Sequence, residues 1–223
     1  MIVPTLSTEV ISKAVAKSPW DFGNKVLYEM CRENPDHKED GVILGKIWLI
    51  GRSYSAAIER RRGKASANAD AFYENEVVPT IRNSGIDGWF GELRSADMDD
   101  LALHLEAHKR VMDLFARISG TDNRSLASKY LHFHFPERFF IYDSRAQKSI
   151  SRLTKPEGRR LPPLRGRDYD YACFFVRCVK LRKKLETQLA KAISPRDLDN
   201  ILLAFSSQKD AATRGIDGHQ TGP

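Results

Sequence analysis

Apolar residues recur at helical spacing along most of the chain, and no stretch alternates between apolar and polar residues as a half-buried strand does. This pattern predicts an all-α fold. The most apolar segment, residues 41–62, carries Ile43, Ile47 and Ile50 on one face and is predicted to form a central buried helix. The other predicted helices span residues 8–17, 18–33, 69–84, 97–119, 123–135, 144–153, 168–192 and 195–207.

Capping residues, glycine and proline set the predicted helix ends. Asp97 is expected to cap the helix that Gly120 stops, because glycine readily adopts the left-handed conformation just past a helix end. Pro79 is expected to bend or split its helix, since proline lacks a backbone N–H. Residues 139–142 are predicted to be extended, and residues 155–167, with three prolines and five basic residues, predict a loop.

The size of the chain suits one domain. It has 223 residues, of which 41% are hydrophobic, which is enough for a single helical unit over residues 1–207, with two lobes and a cleft between them as an option. Residues 208–223 are poor in large apolar side chains and are predicted to be disordered. No apolar run reaches the ~18 residues of a membrane span, and three cysteines favour a reducing compartment.

The positive charge is concentrated in one region. The whole chain has a formal charge of +7, yet residues 120–184 contain 16 Lys and Arg against 6 Asp and Glu. A positive field of this kind suits a polyanion, and nucleic acid is the commonest one in a cell. A solvated basic surface is the alternative. We expect a cytoplasmic, nucleoid-associated protein that binds double-stranded DNA, with no membrane contact and no obligate protein partner.

The segment 118–146 carries the most specific pattern. A helix ends in the turn Gly120-Thr121-Asp122-Asn123, a second helix follows, and a connection containing Pro136 leads to Asp143 at the start of a third helix. Backbone N–H groups at the start of the second helix would form a sequence-independent phosphate clamp.

Residues 125–143, SLASKYLHFHFPERFFIYD, resemble the core of the helix-hairpin-helix DNA glycosylase superfamily. In that family a glycine-rich hairpin leads to a position that is Lys in the bifunctional lyases and can be Ser in the adenine-specific branch, with the catalytic Asp about eighteen residues later. The resemblance covers about 30 residues and implies a two-lobed helical glycosylase fold. It departs from the family in having one hairpin glycine and no iron–sulfur cysteine cluster.

The resemblance implies that Asp143 is the catalytic carboxylate and that Ser125 takes the lyase-lysine position. Such a carboxylate stabilises the positive charge that develops on the sugar as an N-glycosidic bond breaks. A helix N-cap is the alternative role for Asp143. Lys129 lies one helical turn after Ser125 and is a second catalytic candidate, as a Schiff-base lysine; contact with phosphate or with solvent is the alternative.

Two further sets of residues are candidates for contact with DNA. The candidate pocket residues, which would hold a base turned out of the stack, are Ser125, Tyr130, His132, Tyr142, Trp48 and Tyr54, although aromatic residues at helical spacing are most often core. The candidate DNA-backbone residues are Gly120, Arg124, Arg145, Lys148, Arg152, Lys155, Arg159 and Arg160. No metal site or cofactor is expected, because His132 and His134 point about 200° apart on a helix.

The sequence thus predicts a DNA glycosylase, monofunctional rather than a lyase, that hydrolyses the bond to a modified or mismatched base and leaves an abasic site. It does not name the base. Base excision repair and defence against phage DNA with hypermodified cytosines, such as glucosylated hydroxymethylcytosine, are both open. A non-catalytic DNA-binding module of the same fold is the main alternative, and a metal-dependent nuclease that recruits Asp97, Asp99 and Asp100 is the lesser one.

Overall fold

The computed structural model describes residues 6–61, 69–155 and 166–217, and within these ranges all regular elements are helical and no strand occurs. The prediction of an all-α protein is therefore confirmed. The helices are α1 (Thr8–Ala14), α2 (Asp21–Glu33), α3 (Asp40–Ser53), α4 (Ala69–Phe72), α5 (Val78–Arg82), α6 (Ile86–Ser95), α7 (Leu101–Ser119), α8 (Arg124–His134), α9 (Ser144–Leu153), α10 (Tyr169–Leu189) and α11 (Pro195–Asp217). No described helix combines the length and apolar character that crossing a membrane requires.

Helix α8 lies at the centre of the packing. It contacts α7, α3 and α2, while α9 packs against α10 and α11, and α11 also packs against α1. All residues of α8 from Leu126 to Phe133 are buried. The buried apolar residues, from Leu6 near the start to Phe205 in α11, form one contiguous core. Functional side chains on α8 are therefore anchored in the core.

The predicted central helix is shorter than its apolar pattern suggested. Helix α3 ends at Ser53, the chain turns through Ser55 in the left-handed region at φ 53°, and only a short 3-10 turn, Ile58–Arg61, follows. The amide of Ala56 donates to the carbonyl of Gly51 across this turn. Apolar spacing continued across the break because Ile58 returns to the same core, so periodicity alone did not reveal it.

Other boundaries also differ from the predictions. Asp100, and not Asp97, caps α7 by accepting from the Leu103 amide. Before Pro79 the helix widens into a π-helical turn, Tyr73–Val77, which fits the expected disruption by proline. Helix α6 was missed because Gly88 and Gly91 weaken its local propensity, and burial of its apolar face compensates.

Helix α11 continues to Asp217, so residues 208–217, for which the sequence predicted disorder, are helical. Gln, Lys and Ala in this stretch are good helix formers that can extend a helix already begun. Residues 218–223 of the predicted tail lie outside the described residues. The same holds for Arg159 and Arg160, and for most of the predicted loop 155–167.

Candidate active site

The hairpin between α7 and α8 is closed by polar side chains as well as by glycine. Gly120 adopts φ 74°, as predicted for a residue that ends a helix, and its amide donates to the Ala116 carbonyl. The side-chain nitrogen of Asn123, Nδ2, donates to Ser119 Oγ at 2.6 Å and to the Thr121 carbonyl at 2.9 Å. Asn123 is the N-cap residue of α8, but its side chain faces back into the turn and makes no cap hydrogen bond. The α8 N-terminus therefore lacks a side-chain cap.

Three side chains hold the non-helical segment 139–142 against the helices. His132 Nδ1 donates to the Phe139 carbonyl at 2.8 Å, and the Tyr171 hydroxyl donates to the Phe140 carbonyl at 3.1 Å. The Tyr142 amide donates to Ser128 Oγ at 2.9 Å. A buried segment outside regular secondary structure needs such bonds because its backbone groups are not paired within a helix or sheet. Together they fix where the segment ends, and thus where Asp143 stands.

Asp143 caps α9. Its carboxylate accepts from the Ala146 amide at 2.8 Å, and the side chain is half-buried with its backbone extended. The capping role that the sequence allowed is therefore present. It does not exclude chemistry, because a carboxylate has further lone pairs after one amide has been accepted.

Lys129 is buried next to this cap. It is only 4% exposed, and its Nζ donates to Ser125 Oγ at 2.8 Å and to the Tyr54 carbonyl at 2.9 Å. The structure therefore brings together Ser125, Lys129 and Tyr54, three of the predicted site residues. Burial lowers the pKa of Lys129, while the charges of Asp143 and Asp199 act in the opposite direction. The two predicted catalytic residues thus share one electrostatic environment.

Sequence reasoning missed two charged residues on α11 that complete this cluster. Asp199 is 4% exposed, and its Oδ2 accepts from Arg196 at 2.7 Å. Its other oxygen, Oδ1, has no hydrogen-bond partner among the described residues. The Arg196 guanidinium lies 5.9 Å from the centre of the Tyr54 ring, as does Lys129 Nζ. The sequence signal that could have identified Asp199 is its position next to the apolar stripe of α11, between Leu198 and Ile201.

Burial dominates the electrostatics of Asp199. Its pKa is raised to about 7, with desolvation as the largest cause; the charge of Asp143 adds to the rise, and Arg196 and Lys129 oppose it. An aspartate that titrates near neutrality, beside a desolvated lysine and a second carboxylate, is the kind of arrangement that clusters at functional sites. The arrangement can move or hold a proton near pH 7 and can stabilise a developing positive charge.

His132 lies behind the cluster and not in it. Because its Nδ1 donates to Phe139, its Nε2 is the acceptor for the Tyr28 hydroxyl at 2.6 Å. Burial lowers the pKa of His132 to about 4, so the ring is neutral at physiological pH. The Tyr54 hydroxyl donates to Asn24 Oδ1 at 2.6 Å. Tyr28 and Asn24 on α2 are thus further members of this polar network that the sequence did not indicate.

Three of the predicted pocket residues lie elsewhere. Tyr130 follows Lys129 by one position, so it points about 100° away and donates its hydroxyl to His37 Nε2 at 2.8 Å within the core. Trp48, 40% exposed, lines a separate cavity of about 470 Å³ between α3 and the segment that follows residue 69. The Tyr142 ring packs on Phe174 and lies 5.6 Å from the Arg124 guanidinium.

The basic residues among the predicted DNA-backbone contacts that the structure describes fall into two groups. Arg124 is engaged inside the protein, because its guanidinium makes a two-pronged pair with Asp168, which itself caps α10. The second group is exposed on α9 and just after it, and none of its members forms an ion pair within the described part of the chain. It consists of Arg145, Lys148, Arg152 and Lys155.

No group of three or more His, Cys, Asp or Glu residues in residues 6–61, 69–155 and 166–217 is arranged to hold a metal ion. His134 Nδ1 bonds the Tyr130 carbonyl, away from His132. Comparisons of the chain with protein-family models, with curated proteins and with solved structures find no match.

Proposed function

We propose that the protein is a DNA N-glycosylase of the helix-hairpin-helix type, with Asp143 as its catalytic carboxylate. One observation carries the proposal. Asp143, at the end of a segment held in place by three hydrogen bonds, lies in the electrostatic environment of the buried Lys129, next to the exposed basic face of α9. A carboxylate that served only as a helix cap would need neither a buried lysine nor a basic helix face beside it.

The exposed face of α9 supplies the expected contact with the DNA backbone. Lysine and arginine side chains that are free of internal ion pairs can neutralise phosphates and release counterions. Asp143 opens the same helix, so a duplex bound along α9 would lie next to this carboxylate. The uncapped start of α8, at the hairpin, offers backbone N–H groups to a further phosphate.

In the proposed reaction, the bond between the sugar C1′ and the base nitrogen breaks, the base nitrogen takes up a proton from solvent, and the water that attacks C1′ returns a proton to solvent, so that one water is consumed overall. The Asp143 carboxylate stabilises the positive charge on the sugar and orients the water whose oxygen bonds to C1′. The products are a free base and an abasic site. Lys129 and Asp199 lie in the same electrostatic environment as this carboxylate.

The test is base release from DNA. Duplexes and phage-derived DNAs that carry different base modifications are incubated with the protein in a chelator, treated with alkali, and analysed by mass spectrometry for freed bases. The variant is Asp143→Asn, which keeps the cap because asparagine and aspartate are equally good N-caps. The matched control is Asp100→Asn, the cap of α7. We expect Asp143→Asn to lose at least about a hundredfold in rate and the control to keep full activity.

Several results would contradict the proposal. Undiminished base release by Asp143→Asn would reduce this residue to a cap. DNA binding without release of any base would favour the non-catalytic module, and direct nicks that need Mg²⁺ would favour a nuclease. Strand breaks before alkali, by contrast, would keep the glycosylase and assign a Schiff-base role to Lys129.

A further inference from the structure

The cavity beside Trp48 lies between α3 and the chain that runs from α4 into the π-helical turn Tyr73–Val77. Its volume is about 470 Å³, within the roughly 300–1,000 Å³ typical of small-molecule sites. The described residues that line it include no member of the cluster around Asp143 and Lys129. A ligand in this cavity would therefore occupy a second site, separate from the candidate active site.

The floor of the cavity is one face of α3. The isoleucines of this helix are buried in the core, and a different face borders the cavity. The floor residues recur at spacings of three or four along the helix and are Gly41, Leu44, Gly45, Trp48 and Leu49. A Cβ atom added at Gly41 or Gly45 would have nothing within 4 Å. The glycines thus leave space above the helix, and their larger neighbours make the floor apolar.

The opposite wall of the cavity is acidic. It consists of Asp70, Tyr73 and Glu74, whose spacing of three and four residues places them on one side of their helical segment. Glu74 is exposed and forms no ion pair within the parts of the chain that the structure describes. The described lining residues include no Lys, Arg or His, so their formal charge is negative.

One cation lies close to this cavity, but it is already neutralised. The guanidinium of Arg52 lies 5.1 Å from the centre of the Trp48 ring and pairs with Glu59 at 2.8 Å. The second carboxylate oxygen of Glu59 accepts from the Tyr73 hydroxyl. Because Arg52 and Glu59 together contribute no net charge, the carboxylates of the acidic wall determine the sign of the charge that a ligand meets.

We propose that this cavity binds a small organic cation, a molecule that carries an amine or guanidinium group on an apolar body. The apolar body packs on the floor beside Trp48, and the cationic group lies at the acidic wall near Glu74. An anion of the same shape would meet like charge at this wall, and a neutral molecule would gain the apolar contact alone. The inference is independent of the proposed glycosylase, because it uses none of the residues assigned to base excision.

The test follows binding by fluorine NMR of the full chain labelled with 5-fluorotryptophan, which gives a signal for each of the three tryptophans. Trp48→Phe assigns the Trp48 signal. The probes are 4-phenylbutylamine, 4-phenylbutan-1-ol and 5-phenylpentanoate, which share one apolar body and differ in charge. We expect the amine to shift the Trp48 signal saturably and to bind at least about fivefold more tightly than the alcohol, with the carboxylate weakest.

Glu74→Gln tests the acidic wall, because it removes the charge and keeps the size of the side chain. It should weaken binding of the amine about three- to fivefold and leave binding of the alcohol unchanged. Glu76→Gln is the matched control, since Glu76 is exposed on the same turn but does not line the cavity. Equal losses in the two variants would show a general attraction of charge to this surface and would overturn the proposal.

Gly45→Leu tests the floor. The new side chain would enter open space in the cavity and should abolish binding of the amine and the alcohol. Gly88→Leu is its matched control, because Gly88 is equally open but lies on α6 and away from the cavity, so this variant should bind like the wild-type protein. Unchanged binding of the amine by Gly45→Leu would place the probe elsewhere and refute the assignment of the cavity.

The remaining outcomes also contradict the proposal. No saturable shift of the Trp48 signal with the amine would mean that the cavity binds no such cation, and equal affinities for amine and alcohol would mean an apolar cavity without selection for charge. A shift of the Trp48 signal with protein concentration alone would show that a second copy of the chain covers this face. Release of bases from DNA affects none of these measurements, so each of the two proposals can fail without the other.

Discussion

Asp199 provides the sharpest quantitative test of the electrostatics, because its replacement changes the pH dependence of folding in a direction fixed by the structure. Burial raises its pKa from 3.8 to about 7, while Arg196 is the largest influence in the opposite direction. The folded protein therefore holds a proton on Asp199 more tightly than the unfolded chain does. The stabilisation is complete below about pH 4 and is lost as pH rises to about 7.

The magnitude follows from the two pKa values. For a single group whose pKa is 3.8 unfolded and about 7 folded, the free energy of unfolding decreases by about 2–3 kcal/mol between about pH 5 and about pH 8. Asp199→Asn cannot titrate. The stability of the variant minus that of the wild-type protein should therefore increase by about 2–3 kcal/mol over this interval.

The assay is urea unfolding of both proteins across this pH range, at constant ionic strength. Taking the difference removes the other titrating groups, which both proteins share. Asp197→Asn serves as the matched control, since Asp197 lies on the same turn of α11 but is only half-buried and bonds Ser194. Its stability difference from the wild-type protein should vary less with pH than that of Asp199→Asn, because the Asp197 side chain is not enclosed in the core.

A stability difference for Asp199→Asn that stays constant from about pH 5 to about pH 8 would refute the reasoning. It would mean that Arg196 and Lys129 compensate the burial of Asp199 completely and keep its pKa ordinary. Carbon NMR of the Asp199 carboxyl group provides the direct check, with a titration midpoint expected near pH 7.

Other predictions concern the hairpin, the segment 139–142 and the basic face of α9. Gly120→Ala should destabilise the protein by about 1 kcal/mol in thermal or urea unfolding, because φ is 74° although nothing lies within 4 Å of the new methyl group. Gly23→Ala, equally open but within α2, should instead stabilise by about 0.5–1 kcal/mol; equal effects would contradict the backbone argument. Ser128→Ala leaves the Tyr142 amide without its acceptor and should cost about 1–3 kcal/mol by urea unfolding, and no loss would show that the segment is held otherwise. Lys148→Gln should reduce the slope of log affinity for DNA against log salt by about one, measured by fluorescence anisotropy; an unchanged slope would remove α9 from the interface.

Much of the helical framework could be predicted because its determinants are local. Gly120 ends α7, Pro79 disturbs its helix, and Asp143 opens α9, each through contacts within a few residues. Local signals failed where distant contacts decide. The apolar spacing beyond Ser53 hid a break, and the glycines of α6 hid a helix that is stabilised by packing against α7.

The candidate site divides in the same way. Helical geometry and capping depend on neighbouring residues, so it could be predicted that Ser125 and Lys129 share one face of α8 and that Asp143 begins the next helix. Contacts between distant helices, by contrast, bury Lys129 beneath Tyr54, bring Asp199 and Arg196 of α11 to it and place Tyr130 in the core. Burial and long-range packing set these pKa values and partners, and residues far apart in sequence supply both.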